Sequence, residues 1–462
     1  MSGWYETLFR RVLFPAYETG LRGRKTLAYL DDYERAQWLP QAQVEALQWT
    51  RLKNLLEHCY REVPYYQRQW RELGIKPADI RSMDDYAKLP VLTRTDMRNH
   101  YEELKADSWR DRLFYKATGG STGEPVRFGY TRESNDRRTA VMWRGYGWGG
   151  SRMGRRTLYL WGAVGSRSSL HNIKEKVWNK LFARYQLNSF HMTEAGMPDY
   201  AEAIDRYRPE VIVAYVGPLL RLAQWIIATG RKVHQPVAII AAAEALHEFQ
   251  RAIIEQAFGC PAYNTYGCRE FMLIASECER REGLHVNSDH LLVELRRQDQ
   301  SWIRPGHLDP ASATDSCTGE VVVTDLFNYG MPFLRYLNGD MATASPTACS
   351  CGRGLPLLSR IDGRKLDTIR TRDGHMLPGQ FFPHMLKDVK GLERFQLVQR
   401  ELDRLELSIV RGPKFDAESM TYLRGEFAKV LGDSIELHCE FVDDIPLTPS
   451  GKLRVTISEL AT

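Results

Sequence analysis

DYAEAIDRYRPEVIVAYVGPLLRLAQWIIATGRKVHQPVAIIAAAEALHEFQRAIIEQAFGCPAYNTYG, Asp199 to Gly267, alternates two periodicities. Apolar residues recur at helical spacing in DYAEAIDRYRP, PLLRLAQWIIATG and ALHEFQRAIIEQAFG, and strand-like runs EVIVAYVG, QPVAIIAAA and PAYNTYG follow them in turn. Strands separated by amphipathic helices long enough to cross over are the mark of right-handed βαβ units and a parallel sheet. The stretch therefore predicts an α/β fold. Ligands in such sheets bind beyond the carboxyl ends of the strands. That places interest on AAAEAL, Ala241 to Leu246, and on NTYGCRE, Asn264 to Glu270.

Working outward, TLYLWG, Thr157 to Gly162, reads as a further strand. Residues 1–105 form a helical entry section broken at Pro64, Pro77 and Pro90, with a helix start signal at Thr93 to Asp96. Past Leu291 the texture becomes β-rich: HLLVEL and GEVVVTDL are strands around a loop rich in Gly, Pro and Asp. From GRKLDTIRTRDG onward, strands FQLVQ, LELSIV and SIELHCEFV surround a helix AESMTYLRGEFAKVL, a compact α+β unit. The predicted organisation is a large domain over residues 1–366 and a small one over residues 367–462.

Composition narrows the function classes. With 462 residues, 43% of them hydrophobic, the chain can bury a large core. Its 63 basic and 58 acidic residues are interspersed, so the net charge of +5 forms no stripe for nucleic acid. The apolar runs fall short of a transmembrane helix, and eight cysteines in a chain of this length form no secreted disulfide framework, so a cytoplasmic protein is expected. The first segment, WYETLFRRVLFPAYETGLRGRK, sets Trp4, Leu8, Phe9, Val12 and Leu13 near one helical face, with Arg10 and Arg11 opposite. Packing against the body of the protein is its reading, and a peripheral membrane contact is the alternative.

KATGGSTGEP, Lys116 to Pro125, has the look of a phosphate loop without the Lys-Ser/Thr ending of P-loop NTPases. Gly119, Gly120 and Gly123 let backbone N–H groups point into one concavity, while Thr118, Ser121 and Thr122 add hydroxyls. Alone, such a cluster is as well explained by a solvated loop. It is followed in order by AAAE at Ala241 to Glu244, YGCRE at Tyr266 to Glu270, MPFLRYLNGD at Met331 to Asp340, DGRKLD at Asp362 to Asp367, and LTPSGKLR at Leu447 to Arg454.

This ordered set resembles the adenylate-forming superfamily of acyl- and aryl-CoA ligases. PYYQRQW, Pro64 to Trp70, and CSCGR, Cys349 to Arg353, make the chain most similar to the phenylacetate-CoA ligase branch with its CapK-type, capsule-biosynthesis relatives. The resemblance implies the adenylate-forming fold, with a mobile C-terminal domain. It also implies ATP-dependent activation of a small carboxylic acid to an acyl-AMP, release of pyrophosphate, and transfer to coenzyme A. An amine acceptor in polysaccharide or secondary metabolism, or a non-catalytic binding protein on this fold, are the alternatives. A homodimer is compatible with either.

By the same resemblance, Glu270 holds Mg²⁺ and Tyr266 stacks on adenine, with Gly267 beside it and Ala243 and Glu244 on the other side. Asp340 takes the ribose hydroxyls, and Arg364 reaches the ribose or a phosphate. Asp367 is the hinge, although Leu366 stands where the family pattern has Asp. Lys452 is the catalytic lysine that contacts carboxylate and α-phosphate. Related ligases carry cysteines near Cys278 and at Cys349 and Cys351, which with His285 suggest a structural zinc; Cys268 and His290 are reserve ligands. Trp143, Tyr146, Trp148 and Trp161 are candidates for an aromatic-acid pocket, with plain packing as the alternative.

Overall fold

The computed structural model describes residues 2–117, 126–162, 178–189, 192–311, 317–364, 369–371, 376–377, 381–386, 389–431, 435–446 and 454–460. The predicted loop residues Thr118, Gly119, Gly120, Ser121, Thr122 and Gly123, the hinge Asp367 and Lys452 lie outside the described residues, as does the side chain of Arg364. The chain divides into two compact units: Met1–Asn338 with Ala342–Arg360, and Gly339–Met341 with Ile361–Thr462.

The first unit begins with helices α1 (Ser2–Leu8), α2 (Thr26–Ala36), α3 (Gln41–Glu62), α4 (Pro64–Glu72), α5 (Met83–Tyr86) and α6 (Arg94–Asn99). The start signal read at Thr93 is a reciprocal cap: Thr93 Oγ1 accepts from the Asp96 N–H at 3.1 Å, and the Asp96 carboxylate accepts from the Thr93 N–H at 2.9 Å. The first segment packs against the body as read, through Phe9 and the partly buried Leu13. Phe9 is buried with Phe14, Met153 and Phe182, while Trp4, Leu8 and Val12 stay exposed. The backbone winds in π turns over Phe9–Leu13 and Ala16–Leu21, so the apolar positions do not keep the single face that 3.6 residues per turn would give them.

Strands β1 (Phe114–Ala117) and β2 (Arg127–Tyr130) pair as an antiparallel ribbon ahead of α7 (Arg132–Trp148). Next come β3 (Thr157–Trp161), β4 (Arg184–Asn188), α8 (Met197–Tyr207), β5 (Val211–Tyr215), α9 (Val216–Thr229), β6 (Ala238–Ala242), α10 (Glu248–Phe258) and β7 (Ala262–Tyr266). The βα alternation is as read from the sequence. Helix α9 shows why: Leu219, Leu222, Ala223 and Ile226 recur on one face and are buried against Ile212, Ile239 and Leu160 of the strands. Each such aliphatic side chain contributes roughly 1.5–3 kcal/mol when fully buried. Gly230 ends the helix at φ +65°, a left-handed cap that suits glycine.

The remaining strands of the sheet are β8 (Ala275–Glu277), β9 (Leu284–Val286), β10 (Leu291–Arg296), β11 (Trp302–Ile303), β12 (Thr318–Asp325), β13 (Tyr336–Ala344) and β14 (Leu357–Arg364). Among the described residues the order is β11-β10-β12-β13-β14-β9-β8-β7-β6-β5-β3-β4. From β7 through β4 the pairings are parallel. Beyond β7 they turn antiparallel, with Tyr266 opposite Ala275. The β-rich section is therefore a continuation of the parallel sheet. The tight reversal after Tyr266 gives β7 a second partner on the edge that the parallel half leaves open.

The second unit has its own core. β15 (Ile369–Arg370) and β16 (Met376–Leu377) pair antiparallel; β17 (Leu392–Glu401) and β18 (Arg404–Arg411) form a hairpin, flanked in parallel by β20 (Thr456–Ser458) and β19 (Glu436–Phe441). The helix Ala417–Leu431 lays Leu423, Phe427 and Leu431 against Leu397, Leu407 and Ile409. Buried Gln399 of β17 brackets Arg370, bonding its N–H at 2.9 Å and its carbonyl at 2.7 Å.

Candidate active site

The carboxyl end of β7 carries the sequence YGCRE. Gly267 is required there by close approach: a Cβ on it would lie 1.8 Å from the Met272 carbonyl oxygen. The turn this permits buries Glu270, which is 2% exposed. The Tyr336 hydroxyl donates to Glu270 Oε1 at 3.3 Å, and Arg138 Nη1 of α7 donates to the Glu270 carbonyl at 3.0 Å. One position earlier on the strand side, the Tyr266 hydroxyl accepts from Asn338 Nδ2 at 2.7 Å, so the ring is held at a fixed angle. A strand and a helix distant in the chain thus fix one short turn. A buried carboxylate with one modest hydrogen bond is a donor suited to Mg²⁺, which takes few protein ligands and keeps its waters.

The neighbouring strand ends are also specialised. At the end of β6, Ala243 adopts φ +67°, a conformation that L residues other than Asn and Asp seldom take. It turns the next side chain so that Glu244 Oε2 accepts the Gly217 N–H at 2.6 Å, at the start of α9. Across from it, Trp161 at the end of β3 stacks on Tyr215 at the end of β5, with centroids 4.2 Å apart and planes 20° apart. The other aromatic-pocket candidates are packing residues. Trp143 packs edge-on to Phe14, Tyr146 is partly buried against Val213 and Ile240, and Trp148 Nε1 donates to Gln37 Oε1 at 2.7 Å.

Asp340 lies on β13 and is 9% exposed; it belongs to the second unit. Asn338, Tyr336 and Arg138 went unread in the sequence. An arginine inside RESNDRRTAVMWRGYGW carries no local sign that it is 1% exposed rather than solvated.

The predicted thiols and imidazole do meet. Cys278, His285, Cys349 and Cys351 present ligand atoms that all lie within 4.8 Å of one another. Cys278 and Cys349 Sγ are 3.7 Å apart, far beyond the disulfide length of about 2.05 Å, and all are free thiols. Tetrahedral zinc with bonds to sulfur of about 2.3 Å would set sulfur pairs about 3.8 Å apart. Cys351 Sγ is 3.3 Å from His285 Nε2, and His285 Nδ1 faces the Leu355 carbonyl at 3.1 Å. That second contact fixes the tautomer and leaves Nε2 as the donor to a metal. Burial holds the His285 pKa down to about 4, so the ring is neutral at pH 7. Burial works to raise the Cys351 thiol, yet hydrogen bonds from the Arg353 backbone and guanidinium bring it below its ordinary value. The reserve ligands are elsewhere: His290 Nδ1 pairs with the Tyr33 hydroxyl at 2.9 Å, and Cys268 is not in the cluster.

Comparison with known proteins agrees with this architecture. Phenylacetate-coenzyme A ligase of Thermus thermophilus is 29% identical over 383 residues, spanning 80% of this chain and 82% of that protein. Protein CapK of Staphylococcus aureus is 25% identical over 391 residues, spanning 81% and 80%. The model of the CapK C-terminal domain matches residues 369–459. Over about four-fifths of its length the chain is similar to the phenylacetate-CoA ligase and CapK branch of the adenylate-forming superfamily. A crystal structure of 2-hydroxyisobutyryl-CoA ligase in the postadenylation state shares the ligase fold, with a TM-score of 0.72 and 20% identity over 92% of both chains. In this chain the seam strand β7 carries the motif YGCRE, and the CapK-type match coincides with the separate core around β17 and β18.

Proposed function

We propose that the protein is an AMP-forming acid–thiol ligase that activates a small carboxylic acid with ATP and passes the acyl group to coenzyme A. The observation that carries this reading is the buried Glu270 carboxylate, set beneath Tyr336 beside the fixed Tyr266 ring at the carboxyl end of the last parallel strand. Relatives that span four-fifths of the chain are acid–CoA ligases, which supports the same class.

In the first half-reaction, a substrate carboxylate oxygen bonds to the α-phosphorus of ATP, and the bond from that phosphorus to the bridging oxygen breaks, releasing pyrophosphate. Charge accumulates on the phosphoryl oxygens, so fixed donors and cations lower the barrier. Glu270 is the residue that would hold Mg²⁺, which when bound neutralises phosphate oxygens. Tyr266 and Gly267, with Ala243 and Glu244 opposite, are assigned to the adenine, Asp340 to the ribose, Arg364 to ribose or phosphate, and Thr118 to Gly123 to the phosphates. Lys452 is assigned to the carboxylate and α-phosphate, with Asp367 as the pivot for its domain. In the second half-reaction, the coenzyme A sulfur bonds to the acyl carbon and AMP leaves.

The Cys278, His285, Cys349 and Cys351 cluster is assigned to one structural zinc. The Trp161–Tyr215 stack is the part of the aromatic set that stands at the strand ends, and it favours a flat acid. ATP–pyrophosphate exchange across a panel of aromatic and aliphatic acids, followed by product analysis with coenzyme A and with amines, tests the reading. Exchange with an acid and an acyl-CoA product are expected. No exchange with any acid sinks it, and an amide product in place of a thioester replaces the acceptor.

A further inference from the structure

Lys116, one residue before the end of β1, stands in an unusual electrostatic setting. It lies on β1 opposite Phe128 of β2 and leads directly into the glycine-rich stretch. Its Nζ stands 4.7 Å from the centroid of the Tyr130 ring, and the Arg138 guanidinium stands 4.9 Å from the centroid of the same ring. Arg269, adjacent to Glu270, donates Nη1 to the carbonyl of Ala117 at 2.7 Å. Three cations therefore gather at one end of a two-stranded ribbon.

Their compensation is incomplete. Arg138 is 3.8 Å from Asp325, and its Nε is buried with no hydrogen-bond partner among the described residues. Lys116 has neither a hydrogen bond nor an ion pair among the described residues. Burial, and then the charges of Arg138 and Arg269, lower its pKa to about 8. An ammonium that is partly desolvated, unpaired and repelled by two guanidinium groups is a local cost to the fold, and a bound polyanion relieves it.

We propose that Lys116 is the anchoring cation for the pyrophosphate end of the bound nucleoside triphosphate. This rests on the adenylation reading above and adds a residue to it. A polyanion fits better than a lone carboxylate because the cluster presents several positive charges around a single ring. The antiparallel β1–β2 ribbon carries Lys116 on the strand itself, opposite Phe128, rather than in the glycine-rich stretch. Lys116 binds the two terminal phosphates before reaction and the inorganic pyrophosphate after it.

The test is calorimetric titration of the full-length protein with inorganic pyrophosphate in Mg²⁺, and separately with AMP. Lys116→Met should weaken pyrophosphate at least tenfold and leave AMP within twofold, and Lys116→Arg should recover most of the loss. Melting in anion-free buffer guards against misfolding: Lys116→Met should melt at or above the parent, and pyrophosphate should no longer raise its melting temperature. Equal pyrophosphate affinity in parent and Lys116→Met overturns the proposal, as does an anion-free melting point far below the parent or an equal loss of AMP binding. A parent that binds neither ligand overturns the adenylation reading and this proposal with it.

Discussion

At the scale of single residues, the site depends on positions where no other side chain fits. Gly267 is the sharpest case. The atom that alanine would add lies 1.8 Å from the Met272 carbonyl oxygen and 2.9 Å from its carbon, so the turn itself must move. Overpacking of this kind costs about 1–3 kcal/mol, and displacing a catalytic group by about 1 Å can lower rates about a hundredfold. Gly267→Ala should lower the melting temperature and reduce ATP–pyrophosphate exchange by about two orders of magnitude; exchange at the parent rate would contradict the geometry. Tyr266, Gly267 and Glu270 were legible because they sit together in one motif. Asn338 and Tyr336 were not, since their bonds to Tyr266 and Glu270 reach across 72 and 66 residues and exist only once the sheet is ordered. Trp143 and Tyr146 stayed open between pocket and packing because an aromatic within a helix looks the same in sequence whether it faces a ligand or a core.

At the scale of elements, the pairing of α10 with β7 and β8 is the most exposed to test. Arg251 donates Nη2 to Glu277 Oε1 at 2.6 Å and Nη1 to Oε2 at 3.0 Å, while the Asn264 N–H donates to Oε2 at 2.7 Å. Burial pushes the Glu277 carboxyl up even with Arg251 and the Asn264 amide pulling it down. Arg251→Met strands that carboxylate and should cost about 3–5 kcal/mol in urea unfolding, whereas Arg251→Met with Glu277→Met should recover most of the loss. A double variant no better than the single would mean that the bonds to the Ala262 carbonyl and Asn264 amide, not the charge pair, dominate. Elements with a clean period were legible to the residue: the helix Ala417–Leu431 begins and ends where AESMTYLRGEFAKVL does. The first segment was only partly so: Phe9 meets the body as read, while Val12 falls outside it within a run of π turns, which change the period without changing the composition.

At the scale of the molecule, the cysteine cluster ties residues far apart in the chain. Cys278 and His285 flank the strand pair β8 and β9, and Cys349 and Cys351 enter just ahead of β14, which pairs with β9. Protein purified without added metal should contain about one zinc per chain. Chelation should lower the melting temperature and open Cys278, Cys349 and Cys351 to a thiol reagent, while Cys59, fully buried in α3, stays protected. Metal-free protein of equal stability, with those thiols still closed, would remove the site. The continuity of the sheet was not legible for the same reason that the cluster was only partly so: Leu357 pairs with His285 across an interval that no local pattern spans.

The seam strand has a consequence of its own. β7 is bonded in parallel to β6 and antiparallel to β8, and these ladders space their hydrogen bonds differently. A slip of one residue would break both at once and turn Tyr266 to the opposite face. Mutational drift is therefore tolerated unevenly across the sheet. The ends of β3 and β5, where Trp161 and Tyr215 stack, lie outside that lock, so they can change length or side chain while Tyr266 and the turn after it stay in register.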